Sequence, residues 1–197
     1  GIAETALAIV CDGVGYGTDG TAWGGELLLV NGASFARLAH LRPIPLAGGD
    51  AAARDTRRCA AGVLWESGAS LDGLLDDGPE QAMLSAMLER GTNVVRSSAA
   101  GRLFDAVAAI LGVCMTNTHE AQAAMALESL ASSAGPVKQL RIPPAKDLDL
   151  LPYIAALRER RARGEEVAQL AAEFHEYFAR SWRSEEHTSE LQSPTII

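Results

Sequence analysis

The sequence predicts a mixed α/β (α+β) fold, with an N-terminal β-hairpin sheet followed by a helical region. Three observations predict it. Two apolar runs, Ala6 to Val10 and Leu27 to Val30, flank a stretch with six glycines between Gly13 and Gly25, which reads as strand, glycine-rich turn and strand. The segment Arg42-Pro43-Ile44-Pro45-Leu46-Ala47-Gly48-Gly49-Asp50 then interrupts any regular element with two prolines and paired glycines. Beyond it, apolar residues recur at helical spacing almost to the end of the chain.

Taken in order, strands are expected at 5–11, 22–31 and 35–41, and 42–50 is expected as a loop. Asp50 is placed to N-cap a helix running to about Trp65. A Gly/Asp-rich connection follows over 67–78. Pro79 suits the first turn of the next helix and Gly91 its end. Ser97 or Ser98 can cap a helix from about Gly101 to Leu111, with Leu103, Val107, Ile110 and Leu111 on one face. Asp105 lies off that face, toward solvent or a ligand. A further helix spans about Glu120 to Ser132 and ends at Gly135. Val137 to Ile142 reads as a strand, and two periodic helices follow at about 147–162 and 165–182.

Composition narrows the function classes. The chain has 197 residues, enough for one or two domains, and 48% of them are hydrophobic, enough for a sizeable core. The net charge is −8 and the basic residues form no stripe, which argues against nucleic-acid binding. The run Arg158 to Arg163 reads as a solvated helix end. Three scattered cysteines, Cys11, Cys59 and Cys114, suggest a reducing compartment and no disulfide framework. There is no signal peptide, no membrane-spanning run and no local metal motif, so a cytoplasmic protein with no membrane association is expected.

The glycine-rich stretch carries the first chemical hint. Glycine lets a ligand approach bare backbone, and free N–H groups there suit an anion such as phosphate. Gly15, Gly17 and Gly20 form a literal G-x-G-x-x-G. A dinucleotide fold needs a helix after that motif, whereas Thr21 to Asn31 has strand character. A glycine-rich hairpin without a ligand fits the stretch equally well.

Three blocks stand in order: Asp12 to Glu26 (Asp12-Gly13-Val14-Gly15-Tyr16-Gly17 through Trp23-Gly24-Gly25-Glu26), His40 to Arg54, and Ser97 to Gly112. With Glu120 to Glu128, they closely resemble the C-terminal half of the hydrogenase maturation carbamoyltransferases of the HypF family, over about residues 5–182. The resemblance implies a partial ASKHA (actin/sugar-kinase-like) domain. It also implies the family's chemistry: carbamoyl-adenylate is made from carbamoyl phosphate and ATP in a separate upstream domain. The carbamoyl group then passes to the C-terminal cysteine of the partner HypE on the way to the cyanide ligands of [NiFe]-hydrogenase.

The same resemblance suggests roles for residues. Asp12 matches an aspartate near a divalent metal of unknown identity beside the nucleotide phosphates. Gly13, Gly15, Gly17 and Gly20 would lie against the phosphates, with Gly24, Gly25 and Glu26 continuing the hairpin. Asp105, in the block that contains Gly101, matches the acidic residue at the ribose, and Gly48, Gly49 and Asp50 form a turn beside the site. No catalytic residue is identified. Each has a plainer reading: Asp12 as a turn cap, Asp105 as an exposed helix residue, Asp50 as an N-cap, Arg102 as a surface ion pair rather than an anion ligand, and Trp23 as a packing residue. His40, His119 and His175 show no ligand spacing and read as structural.

Departures from the family pattern are also visible. The His-rich metal motif, the adenine loop, the final Asp-Gly-Gly segment and the upstream domains, including one that holds zinc, do not occur here. Ala121 stands where the family has Gly, and Ala99 where a hydroxyl residue is usual. Residues 183–197 resemble a translated sequencing-library adapter and are expected to be a non-native tail on a fragment, 1–182, of the C-terminal carbamoyltransferase domain. A non-catalytic ATP-binding or docking module of the same fold is the alternative to an enzyme fragment.

Overall fold

The computed structural model describes residues 5–192, apart from 76, 77, 136, 138, 139 and 141, with side chains as far as residue 186. Among the described residues, five strands form one sheet: β1 (Ala6–Tyr16), β2 (Ala22–Asn31), β3 (Ser34–His40), β4 (Ile44–Ala47) and β5 (Val94–Ser97). Among the same described residues, seven α-helices accompany them: α1 (Asp50–Arg54), α2 (Thr56–Glu66), α3 (Pro79–Arg90), α4 (Ala100–Ile110), α5 (Gln122–Ser133), α6 (Leu151–Ala162) and α7 (Val167–Gln192). The sheet path is β1-β2-β5-β4, with β3 paired beside β2.

β1 and β2 make an antiparallel hairpin from Ala6↔Val30 to Tyr16↔Ala22, with a bulge between Cys11 and Gly15. β1 therefore runs on through Gly13 and Gly15, five residues past its expected end. Only residues 17–21 turn the chain, closed by the Gly17 N–H donating to the Thr21 carbonyl at 2.9 Å. Strand, not helix, follows the G-x-G-x-x-G, as its flanking pattern predicts.

The sequence reading of 42–50 as a loop is corrected: Ile44–Ala47 is a strand, antiparallel to β5. Pro45 is tolerated because β4 ends the sheet path, where no further neighbour needs its missing N–H. β5 was not foreseen at all. It is four residues long and pairs in parallel with β2 only at Ala22↔Ser97.

The helix expected from Asp50 to Trp65 is two helices. Asp55 between them is extended, forms a bridge with Thr116, and N-caps α2 by accepting the Arg57 N–H. Asp50 lies in the first turn of α1 rather than capping it; the N-cap position is Gly49. Helix α3 ends at Gly91 in the left-handed region, as its sequence predicts. Of the strand expected at 137–142, residues 138, 139 and 141 lie outside the described set, and 137, 140 and 142 are not in a strand. Helix α7 continues to Gln192, ten residues past the expected end near 182.

Leu27, Leu41 and Ile44 from the sheet region meet Val63, Leu103, Val107, Leu127, Ile154 and Phe174 from the helices in one core. Helix α4 is buried almost all round, because α2, α5 and the sheet all pack on it. Aromatic rings join α4 to α7: Phe104 lies edge-on to Phe174 at 5.0 Å and to Phe178 at 5.1 Å. Among the described residues no helix is long and apolar enough to cross a membrane.

Candidate functional site

The sheet bulge, the start of β2 and the first turn of α4 come together at Asp12. A Cβ on Gly101 would stand 2.9 Å from the Gly13 Cα, and one on Gly24 would stand 2.8 Å from the Asp12 carbonyl oxygen and 3.0 Å from the Ala99 Cβ. Gly25 is pressed against the Ser98 carbonyl and Leu41. These glycines are required because chain packs directly on chain. Gly24 also has φ +148°, a conformation that L side chains rarely adopt.

The nine site residues suggested by sequence separate into three places. Asp12, Gly13, Gly24, Gly25 and Gly101 form the junction. Gly15 sits in the ladder opposite Trp23, Gly17 packs beneath the Trp23 indole, and Gly20 occupies the hairpin turn with φ +79°. Asp105 lies one helical turn into α4. At the junction, Asp12 is exposed and its Oδ1 accepts the Gly13 N–H at 2.6 Å. Helix α4 starts beside it, and the leading N–H groups of a helix lack partners within the helix.

Asp105 is buried rather than directed to solvent, at 2% exposure. It forms a 2.8 Å ion pair with Arg102 and accepts a 3.0 Å hydrogen bond from Asn117 Nδ2. Burial pushes its carboxyl above the usual range, with Arg102 and Asn117 opposing that shift. Arg102 thus makes an ion pair, as its plainer reading has it, but an inward one. Its guanidinium lies near Gly13 and beside the fully buried Cys59, whose thiol is pushed far up by burial. Asn117 ties this group to neighbouring chain, donating to the Ala53 carbonyl and accepting the Ala123 N–H.

A second polar network escaped the sequence reading. Glu26 is 1% exposed. Its Oε2 accepts the Gly24 and Gly25 N–H groups, each at 2.7 Å. Its Oε1 accepts the Ser98 hydroxyl and, at 3.0 Å, Arg37 Nη2. Arg37 also pairs with Asp19 at 3.1 Å and lies 4.1 Å from the centre of the Trp23 ring. Trp23 packs edge-on to Phe35, in keeping with a packing role. The available signal was Glu26 itself, a carboxylate immediately before the run Leu27-Leu28-Leu29-Val30 of a core-facing strand.

His40, His119 and His175 do not converge. His40 and His175 each contact a backbone carbonyl, of Leu41 and Ala171, and His119 contacts Thr118. Among the described residues no three His, Cys, Asp or Glu side chains could together hold a metal ion. Asp12 offers one carboxylate, and a divalent ion needs several oxygen ligands. The residues present do not by themselves fit a metal.

Comparison with known proteins gives the family. Residues 8–191 match the model described as "Carbamoyltransferase, Kae1-like Domain, second subdomain". The chain is 40% identical to Carbamoyltransferase HypF2 of Cupriavidus necator, over 89% of this chain and 25% of that protein. It is 42% identical to Carbamoyltransferase HypF of Rhodobacter capsulatus, over 90% of this chain and 24% of that one. The chain therefore spans about a quarter of the length of these relatives. A crystal structure of full-length HypF in a phosphate- and nucleotide-bound form superposes with a TM-score of 0.88 at 30% identity, covering 98% of this chain and 31% of that one. HypF of T. kodakarensis superposes with a TM-score of 0.80 at 29% identity, covering 95% of this chain and 27% of that one. Sequence match and superposition agree along nearly the whole chain: it has the ASKHA-type, Kae1-like fold and belongs to the HypF carbamoyltransferase family.

Proposed function

We propose that this chain is part of a carbamoyltransferase. In that reading, the protein that contains it moves a carbamoyl group from carbamoyl-adenylate, formed from carbamoyl phosphate and ATP, to the C-terminal cysteine of HypE during [NiFe]-hydrogenase maturation. The observation that carries the reading is the family match over residues 8–191, together with the superposition on a HypF that binds phosphate and nucleotide.

The junction at Asp12 supports a role near the nucleotide phosphates. Transfer from an acyl-adenylate leaves AMP, so its phosphate must be held while the carbonyl is attacked. A helix N-terminus favours an anion through its free N–H groups and its dipole. Helix α4 presents such an end beside the Asp12–Gly13 bulge. Asp12 alone does not make a divalent-metal site, so no step here runs through a metal. The work of this chain is then to hold the phosphate end in place. Asp105 serves the ribose only if it exchanges its ion pair with Arg102 for the sugar hydroxyls.

The test is a chimera in which residues 8–182 replace the matching segment of the R. capsulatus HypF. It is supplied with ATP, carbamoyl phosphate, metal and HypE, and thiocarboxamide on the acceptor cysteine is measured. Transfer is expected, and Asp12→Ala is expected to abolish it with the fold retained. A folded chimera without transfer, or near-normal transfer by Asp12→Ala, overturns the proposal. A chimera that binds ATP without transferring supports the non-catalytic module instead.

A further inference from the structure

Glu26 is a carboxylate placed where a fold alone would do better with an apolar side chain. It precedes Leu27, which is fully buried in the core, and is itself 1% exposed. Replacing a buried ion pair by well-packed apolar groups is often neutral or stabilising, so the charge has no need to be there for stability. What it does instead is bond two separate pieces of chain with its two oxygens. Oε2 holds the Gly24 and Gly25 amides, and Gly24 is the residue whose α-carbon has no room for a side chain beside the Asp12 carbonyl and Ala99. Oε1 holds the Ser98 hydroxyl, and Ser98 leads through Ala99 into the first turn of α4.

From this geometry we propose that Glu26 is a positioning residue: its carboxylate ties the Gly24–Gly25 segment of β2, on which the Asp12 carbonyl packs, to the entry of α4. The inference rests on the reading of that junction as a phosphate site. Arg37 completes the lock. Its guanidinium bonds Glu26 Oε1 and Ser98 Oγ at 3.0 Å each, pairs with Asp19 in the hairpin turn, and stacks on Trp23. The hairpin turn, β3 and the entry to α4 thereby share one carboxylate. Four donors meet its two oxygens, so no lone substitution that introduces a donor can satisfy both pieces at once.

The experiment uses the 197-residue chain, with Glu26→Gln and Glu26→Asp. Gln keeps the size but must turn an NH2 group toward either the glycine amides or Ser98 and Arg37. Melting temperature, amide hydrogen exchange by NMR, and a titration with inorganic phosphate read from the Gly13, Ala100 and Gly101 amides are recorded for each. The expected result is a Glu26→Gln protein that stays folded but melts lower than wild type, since Arg37 loses a buried carboxylate partner. Its Gly13, Gly24, Gly25 and Ala100 amides exchange about tenfold faster, its phosphate affinity falls about tenfold, and Glu26→Asp recovers part of both. Unchanged exchange at these amides overturns the lock, as does equal acceleration throughout the sheet and helices. Local acceleration with unchanged phosphate affinity overturns the positioning role. If the wild type shows no response to phosphate, the phosphate-site reading fails, and the exchange pattern still decides whether Glu26 locks the junction.

Discussion

Ala121 adopts a left-handed backbone at the start of α5, with φ 57° and ψ 13°. Family resemblance led to the expectation of a glycine here, and the backbone gives the reason: a Cβ in this region costs about 1–2 kcal/mol, which glycine avoids. Ala121→Gly loses part of that gain to the greater freedom of the unfolded glycine. The net effect is expected to be a stabilisation of about 0.5–1 kcal/mol, seen as a rise of about 1–4 °C in melting temperature. A lower melting temperature would show that the alanine methyl makes a contact worth more than its strain. Asp19 offers a pH test at the same scale. Hydrogen bonds from the Thr21 hydroxyl and amide hold its carboxyl down to about 2. A depressed carboxyl contributes stability that is fully present above the unfolded value, about 4, and is lost as pH falls through the folded one. Wild type is therefore expected to melt above Asp19→Asn near neutral pH. The difference should shrink between about pH 4 and 2, and thermal melts across that range check it. Because Asp19 is exposed, salt should reduce the difference.

Elements here are bounded by their neighbours as much as by their own residues. Asp55 stands in the middle of an alanine- and arginine-rich stretch with good helix propensity, yet it is extended because it bridges to Thr116 and the Thr56 N–H donates to the Met115 carbonyl. Proline-bearing β4 is a strand because β5 pairs with it on one side and α2 covers it. That cover depends on Gly62 of α2, where a Cβ would run into the Pro45 carbonyl. Gly62→Ala gains about 1 kcal/mol of helix propensity, but pushes backbone against backbone, an overpacking cost of about 1–3 kcal/mol. Net destabilisation is expected, measured as a lower urea midpoint with an unchanged slope. A more stable variant would mean that α2 and β4 can separate freely.

At the scale of the whole molecule, α7 closes the core. Phe174 is fully buried, Trp182 is 4% exposed, and the Ser181 hydroxyl accepts the Ala145 N–H at 2.9 Å. Beyond Trp182, Arg183 and Ser184 are exposed, and the ion pair from Arg183 to Glu176 is a surface contact at 3.6 Å. Truncation after Trp182 is thus expected to leave the melting temperature nearly unchanged. Truncation after Phe174 removes Phe178 and Trp182 from the aromatic cluster, along with the Ser181 hydroxyl that accepts the Ala145 N–H, and is expected to unfold the protein or lower its melting temperature sharply. A large loss on the shorter deletion would show that residues 183–197 belong to the folded core. The isolated chain is expected to give no carbamoyl transfer in the thiocarboxamide assay, since it spans only about a quarter of the length of its HypF relatives. Turnover matching a full-length HypF would contradict that.

The sequence by itself determined the β-rich start and the helical remainder, the β-hairpin, the ends of α3, the apolar face of α4 and the family, because these rest on local signals: alternation, helical period, capping residues and motif order. It also led to Asp12, Gly13, Gly24 and Gly101, which the fold does bring to one junction. Tertiary structure alone decided which polar residues are inside. Asp105 looked exposed on a helical wheel, but α4 is enclosed on every side and its polar face is buried too. Glu26 looked like part of a hairpin, but its strand lies over the core, and its partners Arg37 and Ser98 are 11 and 72 residues away. Local pattern reports which way a side chain points from its own element. It carries no information about what a distant element will place in front of it, and that is what turned these two carboxylates from surface groups into buried, bonded ones.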